Sequence, residues 1–535
     1  MSEFDYVIVG AGAAGCVLAY RLSEDPSVSV ALIEAGPRDS HPFISMPKGL
    51  AKVMQDPTHL WLHASKPEEA SGGQAEIWVR GRVLGGSSSV NGMMYVRGQP
   101  ADFDGIAALS SDDWSWDHIG AAYQALENHE LGAAPTRGDK GPLKVSMPTL
   151  RDKLSDAQVA AGRTLGWTVK ADINEPDDVE RIGYTPRTIY KGKRQSAATA
   201  FIRPAEGRRN LTILTDRTAD RVLFEGRRAV GVEVRRNGAA ETIQAAREVI
   251  LCGGAMSTPG ILERSGVGDA ARLEALGVPV VHDLPEVGEG LIEHRGLVMQ
   301  WKLNAQLSQN REFSGLRLLK STALYYLTKD GPMSSAAYEI GAWFKSDPSQ
   351  PRPDLQMLAA PYSFNLANRT ELEPFPGMNV VIYPLRPTSR GSIHIETRDP
   401  AAPAVFQPNY RSTEADRKAM IAALKRARDW AEQPALKALI VEETMPGPNY
   451  QSDAEILDAF DRHGICGYHA VGSCRMGKDA ASVVDPQLKV RGVDGLRVMD
   501  TSIMPVVPSG NTNGPTMAMA WRAADIIQRD AASAA

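Results

Sequence analysis

Two hydrophobic patterns divide the chain. Near the amino end, residues 6–9 form a short apolar, β-branched run, which predicts a buried strand. Glycines follow; residues 15–24 then predict a helix, and the stretch VSVALIE (28–34) predicts a second strand. Strand, crossover helix and strand in this order predict one βαβ unit over residues 5–36.

The second pattern lies between residues 297 and 455, where apolar and polar positions alternate over short stretches. Such alternation predicts antiparallel strands. The stretches are residues 339–345, 354–360, 379–387 and 391–397. Residues 413–433 follow helical spacing and predict an amphipathic helix, whereas 311–333 are interpreted as a lid or access helix.

The turn after the first strand carries the pattern G-x-G-x-x-G, at Gly10, Gly12 and Gly15. The first glycine permits a tight turn, the second lets backbone approach a pyrophosphate, and the third lets the helix pack closely on the strand. Glu34 ends the second strand, where its carboxylate can accept from a ribose and would repel a 2′-phosphate. The unit therefore predicts dinucleotide binding, without choosing between NAD and FAD.

Two further glycine-rich stretches follow. Residues 81–98 contain Gly85 and Gly86 followed by three serines, and residues 253–268 come after an apolar strand at 247–252. Loops with many N–H and O–H donors suit a phosphate or the polar edge of a ring system. Each stretch alone is equally consistent with a structural turn.

Composition narrows the class of protein. The chain has 535 residues, 43% hydrophobic and 23% charged, which predicts a globular protein of more than one domain. The net charge of -5 and pI near 6.1 give no basic footprint for nucleic acid. The spacing of Cys466, His469 and Cys474 fits no common zinc pattern, so no metal is expected.

Four cysteines do not form a disulfide framework, which favours a reducing compartment. The amino end has no basic flank or long apolar core typical of a signal peptide, and no apolar run reaches transmembrane length. These features predict a cytoplasmic protein and leave peripheral membrane contact open.

Four long motifs resemble those of the glucose–methanol–choline (GMC) oxidoreductases. They are residues 81–104, 254–268, 468–477 and 483–527. With the dinucleotide unit, the resemblance spans residues 5–527. The finer likeness is to bacterial alcohol and sorbose-type dehydrogenases and to aryl-alcohol and hydroxymethylfurfural-type oxidases. It implies an α/β fold: a Rossmann-type FAD-binding domain and a substrate domain built on an antiparallel sheet flanked by helices.

The resemblance also implies that both domains are discontinuous. The FAD-binding domain is expected in residues 1–155, 196–296 and 456–535, and the substrate domain in residues 156–195 and 297–455.

FAD contacts are carried over from the family by matching positions. Val90 stands where some relatives attach the flavin through a histidine, so non-covalent FAD is expected. The expected contacts are Gly10, Gly12, Ala13, Ala14, Gly15, Glu34, Ala35, Arg82, Gly85, Gly86, Ser87, Val90, Asn91, Gly92, Met93, Ala219, Gly254, Asp500, Thr501, Asn511, Thr512 and Asn513.

The resemblance places His469 beside the substrate carbinol. A neutral histidine can take the hydroxyl proton while a hydride passes from carbon to flavin N5. Asn513 is expected to orient and stabilise the oxygen, and Tyr468 to contact substrate. From the residues alone, His469 is more simply a buried packing histidine, and His463 is an equal rival.

Three positions depart from the family pattern. Gly290 and Glu293 stand where an asparagine and an aspartate are usual, which puts their local contacts in question. Ala470 stands where proline commonly follows the catalytic histidine.

The expected activity is oxidation of a primary alcohol to the aldehyde by a dehydrogenase that passes electrons to a quinone or other carrier. The alternative is an oxidase of the same fold that reduces O2 to H2O2. A hydroxynitrile lyase and a flavin-binding protein without catalysis are less favoured. The sequence leaves the alcohol and the oligomeric state open.

Overall fold

The structure is a computed structural model and describes residues 3–365 and 371–534. The strands are β1 Glu3–Val9, β2 Val30–Ile33, β3 Leu60–Ala64, β4 Ile77–Gly81, β5 Glu127–His129, β6 Leu143–Val145, β7 Thr168–Val169, β8 Arg181–Tyr184, β9 Ile189–Tyr190, β10 Lys193–Arg194, β11 Leu211–Leu214, β12 Thr218–Glu225, β13 Arg228–Arg236, β14 Ala239–Leu251, β15 Val267–Gly268, β16 His282–Asp283, β17 Glu289–Leu291, β18 Arg295–Leu303, β19 Ile340–Phe344, β20 Leu355–Ala360, β21 Gly377–Pro384, β22 Gly391–His394, β23 Val405–Gln407, β24 Ile440–Met445, β25 Gly464–Cys466 and β26 Leu496–Val498.

The α-helices are α1 Ala13–Leu22, α2 Pro42–Ser45, α3 Leu50–Val53, α4 Pro100–Leu109, α5 Trp116–Leu126, α6 Lys153–Thr164, α7 Arg203–Ala205, α8 Thr258–Arg264, α9 Ala270–Ala275, α10 Gly315–Thr328, α11 Glu414–Ala431, α12 Pro434–Lys437, α13 Asp453–His463 and α14 Asn513–Ala534.

The first large sheet is built around the amino-terminal βαβ unit. Its strand order is β11-β2-β1-β14-β13-β12, and β26 pairs with β14. Strands β1, β2, β11, β14 and β26 run parallel where they pair, while β12 and β13 add an antiparallel edge. All four residues of β2 are buried, as expected for a parallel strand covered on both faces. The predicted unit is confirmed.

The second large sheet has the order β24-β18-β21-β20-β19-β8-β7, with β25 beside β18. Its central strands pair antiparallel, as the alternation predicted. The predicted amphipathic helix is α11, whose Met420, Leu424 and Trp430 are buried in the core on this sheet. Strand β22 differs from expectation, because it pairs with β17 and β23 in a separate three-stranded sheet.

The carboxy-terminal segment joins the two large sheets. Within the predicted segment 456–535, β25 pairs with β18 in the second sheet and β26 pairs with β14 in the first. Short strands on either side of residues 467–495 therefore fix this connection from both ends. The α/β architecture that the sequence predicted is confirmed.

None of the helices in the described parts of the chain is long and apolar enough to cross a bilayer.

Candidate active site

One cavity of about 500 Å³ receives side chains from both large sheets. Its wall includes the glycine turn after β1, the loop between β14 and α8, and the segment that carries His469. The predicted dinucleotide unit and the predicted histidine therefore open into the same space.

Backbone forms the cradle at the first end of the cavity. Gly10 has φ +103°, and a Cβ there would lie 2.4 Å from the Cys252 carbonyl oxygen, so only glycine fits. Gly12 has no neighbour within 4 Å of an added Cβ and faces open cavity. The amino end of the ten-residue α1 follows, with its unpaired N–H groups and positive dipole end. This cradle fits the pyrophosphate of a dinucleotide.

Glu34 lies at the carboxyl end of β2 and lines the cavity. Its carboxylate accepts hydrogen bonds from Ala11 N at 3.1 Å and Gly36 N at 2.9 Å. Burial raises the pKa of Glu34 to about 7, against the effect of these donors. The side chain holds the turn together and leaves lone pairs for a ribose hydroxyl.

Asp500 ties the second glycine-rich stretch to the carboxy-terminal motif. It accepts from Gly254 N at 2.8 Å and from the Thr258 hydroxyl at 2.6 Å. An added Cβ at Gly254, which has φ +84°, meets no atom within 4 Å. The loop therefore presents open backbone to the cavity beside the first glycine turn.

Most of the residues expected to contact FAD line this cavity. They are Gly10, Gly12, Ala13, Ala14, Glu34, Ala35, Gly86, Ser87, Val90, Asn91, Gly92, Met93, Ala219, Gly254, Asp500, Thr501, Asn511, Thr512 and Asn513, and Tyr468 lies there too.

Three of the expected contacts do not line the cavity. Gly15 packs on the turn, since an added Cβ would lie 2.0 Å from the Gly10 carbonyl oxygen. The Arg82 guanidinium lies over the Trp61 ring at 5.1 Å, and Gly85 shapes its loop with φ +91°. These three support the loops that face the cavity.

Strand pairing brings His469 beside a second histidine. Arg295 pairs with Cys466 in β18 and β25, so the residues just outside each strand also meet. Gly467 N donates to the His294 carbonyl at 2.8 Å, and an added Cβ at Gly467 would crowd His294 at 2.9 Å. Tyr468 takes φ +63°, a left-handed conformation that side chains rarely adopt. Two chain segments approach closely here, so only small residues fit around His469.

The Leu385 carbonyl fixes the tautomer of both histidines. His294 Nε2 lies 2.9 Å from that oxygen, which can only accept, so Nε2 carries the proton. Burial lowers the pKa of His294 to about 4, so the ring is neutral and its Nδ1 is a bare acceptor. His469 Nδ1 lies 2.9 Å from it and must donate. His469 Nε2 is therefore left with its lone pair.

On the Nε2 side of His469, a second series of hydrogen bonds donates toward the ring, as the lone pair on Nε2 requires. The Asn511 amide nitrogen donates to His469 Nε2 at 2.9 Å, and its Oδ1 accepts from Gln356 Nε2 at 3.3 Å. Gln356 Oε1 in turn accepts from the Tyr383 hydroxyl at 2.7 Å. Every donor in this chain points toward His469.

The amide beside His469 is thus that of Asn511, whereas the sequence pointed to Asn513. Asn513 begins α14, two residues further on, and lines the same cavity. The turn before α14 presents Asn511 to the ring, and the expected role of Asn513 toward the substrate oxygen stays a prediction.

Glu293 holds the backbone of the histidine pair. Its buried carboxylate accepts from His469 N at 2.8 Å and from His294 N at 2.7 Å, and Arg80 Nη2 lies 3.6 Å away. Burial raises the pKa of Glu293, against these partners. Gly290 adopts φ +73° close to the Gly472 backbone. Gly290 and Glu293, two of the three positions that depart from the family pattern, thus carry the approach of the two chain segments.

Burial lowers the pKa of His469 well below its usual 6.5, and His294 and Arg80 lower it further. The ring is consequently neutral near pH 7. With the proton on Nδ1, its Nε2 can accept a proton from a hydroxyl.

The wall near His469 is apolar and aromatic. Tyr338, Leu358, Val381 and Ile465 line it, with Arg80 as the charged neighbour. The carboxylates that line the cavity, among the described residues, are Glu34 and Asp500, both committed to the cradle loops.

Sequence reasoning missed the groups behind His469. His294 closes the stretch 287–294, which has a family pattern, but no role was assigned to it. Gln356 and Tyr383 lie in predicted strands, and no motif marks either of them. The rival His463 instead lies on α13 and pairs with the Tyr450 hydroxyl at 3.1 Å, at a place the cavity does not include.

A family model described as GMC oxidoreductase matches residues 4–295, and a second of the same description matches residues 387–520. The chain is 39% identical over 530 residues to the alcohol dehydrogenase [acceptor] of Pseudomonas putida, covering 98% of this chain and 96% of that protein. It is also 39% identical to human mitochondrial choline dehydrogenase, covering 98% and 90%.

Solved structures share the fold. Pyridoxine 4-oxidase from Mesorbium loti superposes with a TM-score of 0.88 at 30% identity, covering 98% of this chain and 99% of that one. A formate oxidase variant from Aspergillus oryzae superposes with a TM-score of 0.91 at 24% identity, covering 99% and 98%, and shows the fold alone.

Proposed function

Since the chain belongs to the GMC oxidoreductase family, whose members are FAD enzymes acting on the CH–OH group of alcohols or choline, we propose that it is a dehydrogenase of neutral primary alcohols. In this proposal His469 Nε2 takes the hydroxyl proton. The observation that carries the proposal is the Leu385–His294–His469 chain, which leaves that lone pair in the cavity.

FAD, when bound, accepts the hydrogen and electron pair that leave the carbinol carbon. The cradle residues that would hold it are Gly10, Gly12, Glu34, Gly254 and Asp500. Their backbone donors and the α1 amino end fit the pyrophosphate.

The protein's own part begins with the hydroxyl proton. The alcohol hydroxyl displaces the Asn511 amide from His469 Nε2 and donates there, and the ring becomes an imidazolium whose Nδ1–H still donates to His294. A carbinol whose oxygen is losing its proton releases hydrogen from carbon far more readily than the neutral alcohol. His294 fixes the ring so that the basic nitrogen faces the substrate.

Asn511 complements this base. Without substrate, one hydrogen of its amide nitrogen occupies the lone pair of His469 Nε2, and this contact gives way when the hydroxyl binds there. The second can donate to the substrate oxygen as negative charge develops there, and the amide is held by Gln356. The family resemblance implies the same role for Asn513.

The walls favour a neutral alcohol over choline. A quaternary ammonium group needs a carboxylate or a cage of aromatic faces. Near His469 the lining has aromatic rings but no carboxylate, and the Arg80 guanidinium lies 5.7 Å from the Tyr468 ring. Arg80, whose charge is balanced by Glu293 at 3.6 Å, already lies over the Tyr468 ring, so that ring is not open to a second cation. Aliphatic and benzylic primary alcohols match the remaining apolar surface.

The electron acceptor is proposed as a quinone or other carrier. The relative named alcohol dehydrogenase [acceptor] supports this assignment. The oxidase alternative is supported by the structural likeness to pyridoxine 4-oxidase.

An anaerobic visible spectrum separates these readings. The holoenzyme is mixed with ethanol, hexanol, benzyl alcohol or choline, and air is then admitted. The proposal expects bleaching by a neutral alcohol, little by choline, and a flavin that stays reduced in air until a quinone is added. Prompt recovery in air identifies an oxidase. A flavin that no alcohol bleaches contradicts the proposal and favours the lyase.

The flavin is proposed to be non-covalent, because Val90 offers no atom for a bond at its place in the cavity wall. Acid precipitation is expected to release the yellow colour into the supernatant. Colour retained in the pellet would show a covalent link through another side chain.

A further inference from the structure

Helix α10 is packed against the protein by a narrow stripe only. Within Gly315–Thr328, the buried residues are Ser321 and Tyr325. Tyr325 joins Met46 and Met333 in a small cluster, with Leu318 packed beside it. A helix that buries so little would normally be polar on its remaining surface.

The outward side of α10 is instead strongly apolar. Leu316 is 84% exposed and Leu327 is 85% exposed. Leu319, Leu324 and Tyr326 are exposed as well. Single exposed leucines are common, but five large apolar side chains on one short helix form a patch of the kind that meets a partner or a membrane.

Basic residues accompany this patch. Residues 311–330 contain four basic and two acidic side chains, in a protein whose net charge is -5. Lys320 and Arg317 lie exposed within the helix, and Arg317 pairs with Glu312 at 3.1 Å. Lys191 and Lys193 are exposed on the neighbouring loop. That loop touches the end of α10, since a Cβ at Gly192 would meet the Lys329 carbonyl.

We propose that α10 lies in the headgroup layer of an anionic membrane, with its leucines inserted and its basic side chains on the lipid phosphates. Leucines on one face and cations beside them are typical of helices that lie in the plane of a bilayer surface. Long basic side chains can keep their charged groups at the headgroups while their aliphatic stems lie along apolar surface.

The charge of this surface favours an anionic membrane over a second copy of the chain as its partner. In a symmetric dimer through α10, the same net-positive face would meet itself. Anionic headgroups complement that face, and the exposed leucines supply the apolar part of the contact. A lipid surface satisfies both features together.

The contact would also bring the cavity close to the bilayer. The segment that packs on α10 through Met46 continues into Leu50 and Met54, which line the cavity. Apolar molecules dissolved in the membrane would then have a short path to this wall.

Sedimentation of the holoenzyme with vesicles tests the proposal. Vesicles of phosphatidylcholine with phosphatidylglycerol are compared with pure phosphatidylcholine, at low and high NaCl. We expect binding to the anionic vesicles that weakens with salt. We also expect the triple variant Leu316→Ser, Leu319→Ser, Leu327→Ser to lose about tenfold or more in vesicle affinity.

Two further variants keep the test decisive. Arg317→Gln with Lys320→Gln removes charge without touching the leucines and should weaken binding to anionic vesicles alone. Leu109→Ser with Val441→Ser removes exposed apolar side chains elsewhere and should change nothing. An unchanged flavin spectrum in each variant shows that the fold is intact.

Absence of vesicle binding, or equal binding by the triple variant, overturns the proposal. A holoenzyme that sediments as a dimer without vesicles, and becomes a monomer in the triple variant, also overturns it and assigns the surface to a second copy.

Discussion

The two ends of the cavity are built from different materials. The cofactor end is made of backbone: glycine turns, a helix amino end and carboxylates that brace the loops. The reaction end is made of side chains from four separate segments, joined by a hydrogen-bond chain through His294, His469, Asn511 and Gln356. Damage at the first end should remove the cofactor, whereas damage at the second should leave it bound but idle.

His469→Ala should give the largest effect and breaks the reaction end alone. Loss of a general base typically costs about 10²–10⁴-fold in rate. We expect FAD retention as in wild type and flavin reduction by a primary alcohol slowed by that factor, measured in an anaerobic stopped-flow instrument. The matched control is His463→Ala, whose ring pairs with Tyr450 on α13. A control variant as slow as His469→Ala would argue against the assignment.

Gly12→Ala should disturb the cofactor end, so that FAD binding is weakened instead of the reaction. Its φ of -79° suits alanine, and the new methyl meets no protein atom within 4 Å. The methyl would occupy space that the pyrophosphate needs, so FAD affinity should fall about 10- to 100-fold, without loss of apoprotein stability. Flavin titration and thermal unfolding measure the two effects. Gly105→Ala, with equal room on α4, is the control. Unchanged FAD affinity in Gly12→Ala would contradict the cradle.

His294 variants sharpen the reaction end. His294→Leu removes the acceptor for His469 Nδ1–H and should slow flavin reduction about 10- to 100-fold, as expected for a buried donor left unpaired. His294→Asn can place an amide oxygen near the position of Nδ1 and should recover part of the rate. If leucine and asparagine are equally slow, His294 acts through packing and the tautomer argument fails.

These three variants also mark how far sequence reasoning reaches. The dinucleotide turn and the antiparallel strands were predictable, because each rests on a local pattern, whereas His469 was singled out by its resemblance to a family motif. The contacts of His294 and Gln356 were not predictable, since strand pairing brings His294 to His469 and the fold brings Gln356 to Asn511.

Asn511 shows a narrower limit. It was predicted as a cofactor contact, but the choice between Asn511 and Asn513 depends on the turn before α14, which sequence does not define. The exposed face of α10 was missed for the opposite reason. Its spacing resembles a buried helix, and only the fold shows which side stays uncovered.

The smallest predicted effect is on the pH dependence of flavin reduction. His469 works as the neutral base, and its pKa is depressed well below 6.5, so its activity is present at neutral pH and is lost only as pH falls through that depressed value. The rate of flavin reduction should therefore be flat over about pH 7 to 8. Arg80 lowers this pKa, so Arg80→Met should move the acid limb toward neutrality.

The exposed Arg163→Met on α6 is the control and should leave the profile unchanged. An acid limb that moves to lower pH in Arg80→Met would reverse the sign and contradict the electrostatic account.

The central claim is the protonation pattern that the Leu385 carbonyl sets. Neutron diffraction from deuterated crystals of the oxidised holoenzyme near neutral pH would show it directly. The account predicts deuterium on His294 Nε2 and on His469 Nδ1, and none on His469 Nε2. Deuterium on His469 Nε2, with a bare Nδ1, would leave no lone pair facing the substrate and would contradict the proposed role of this histidine.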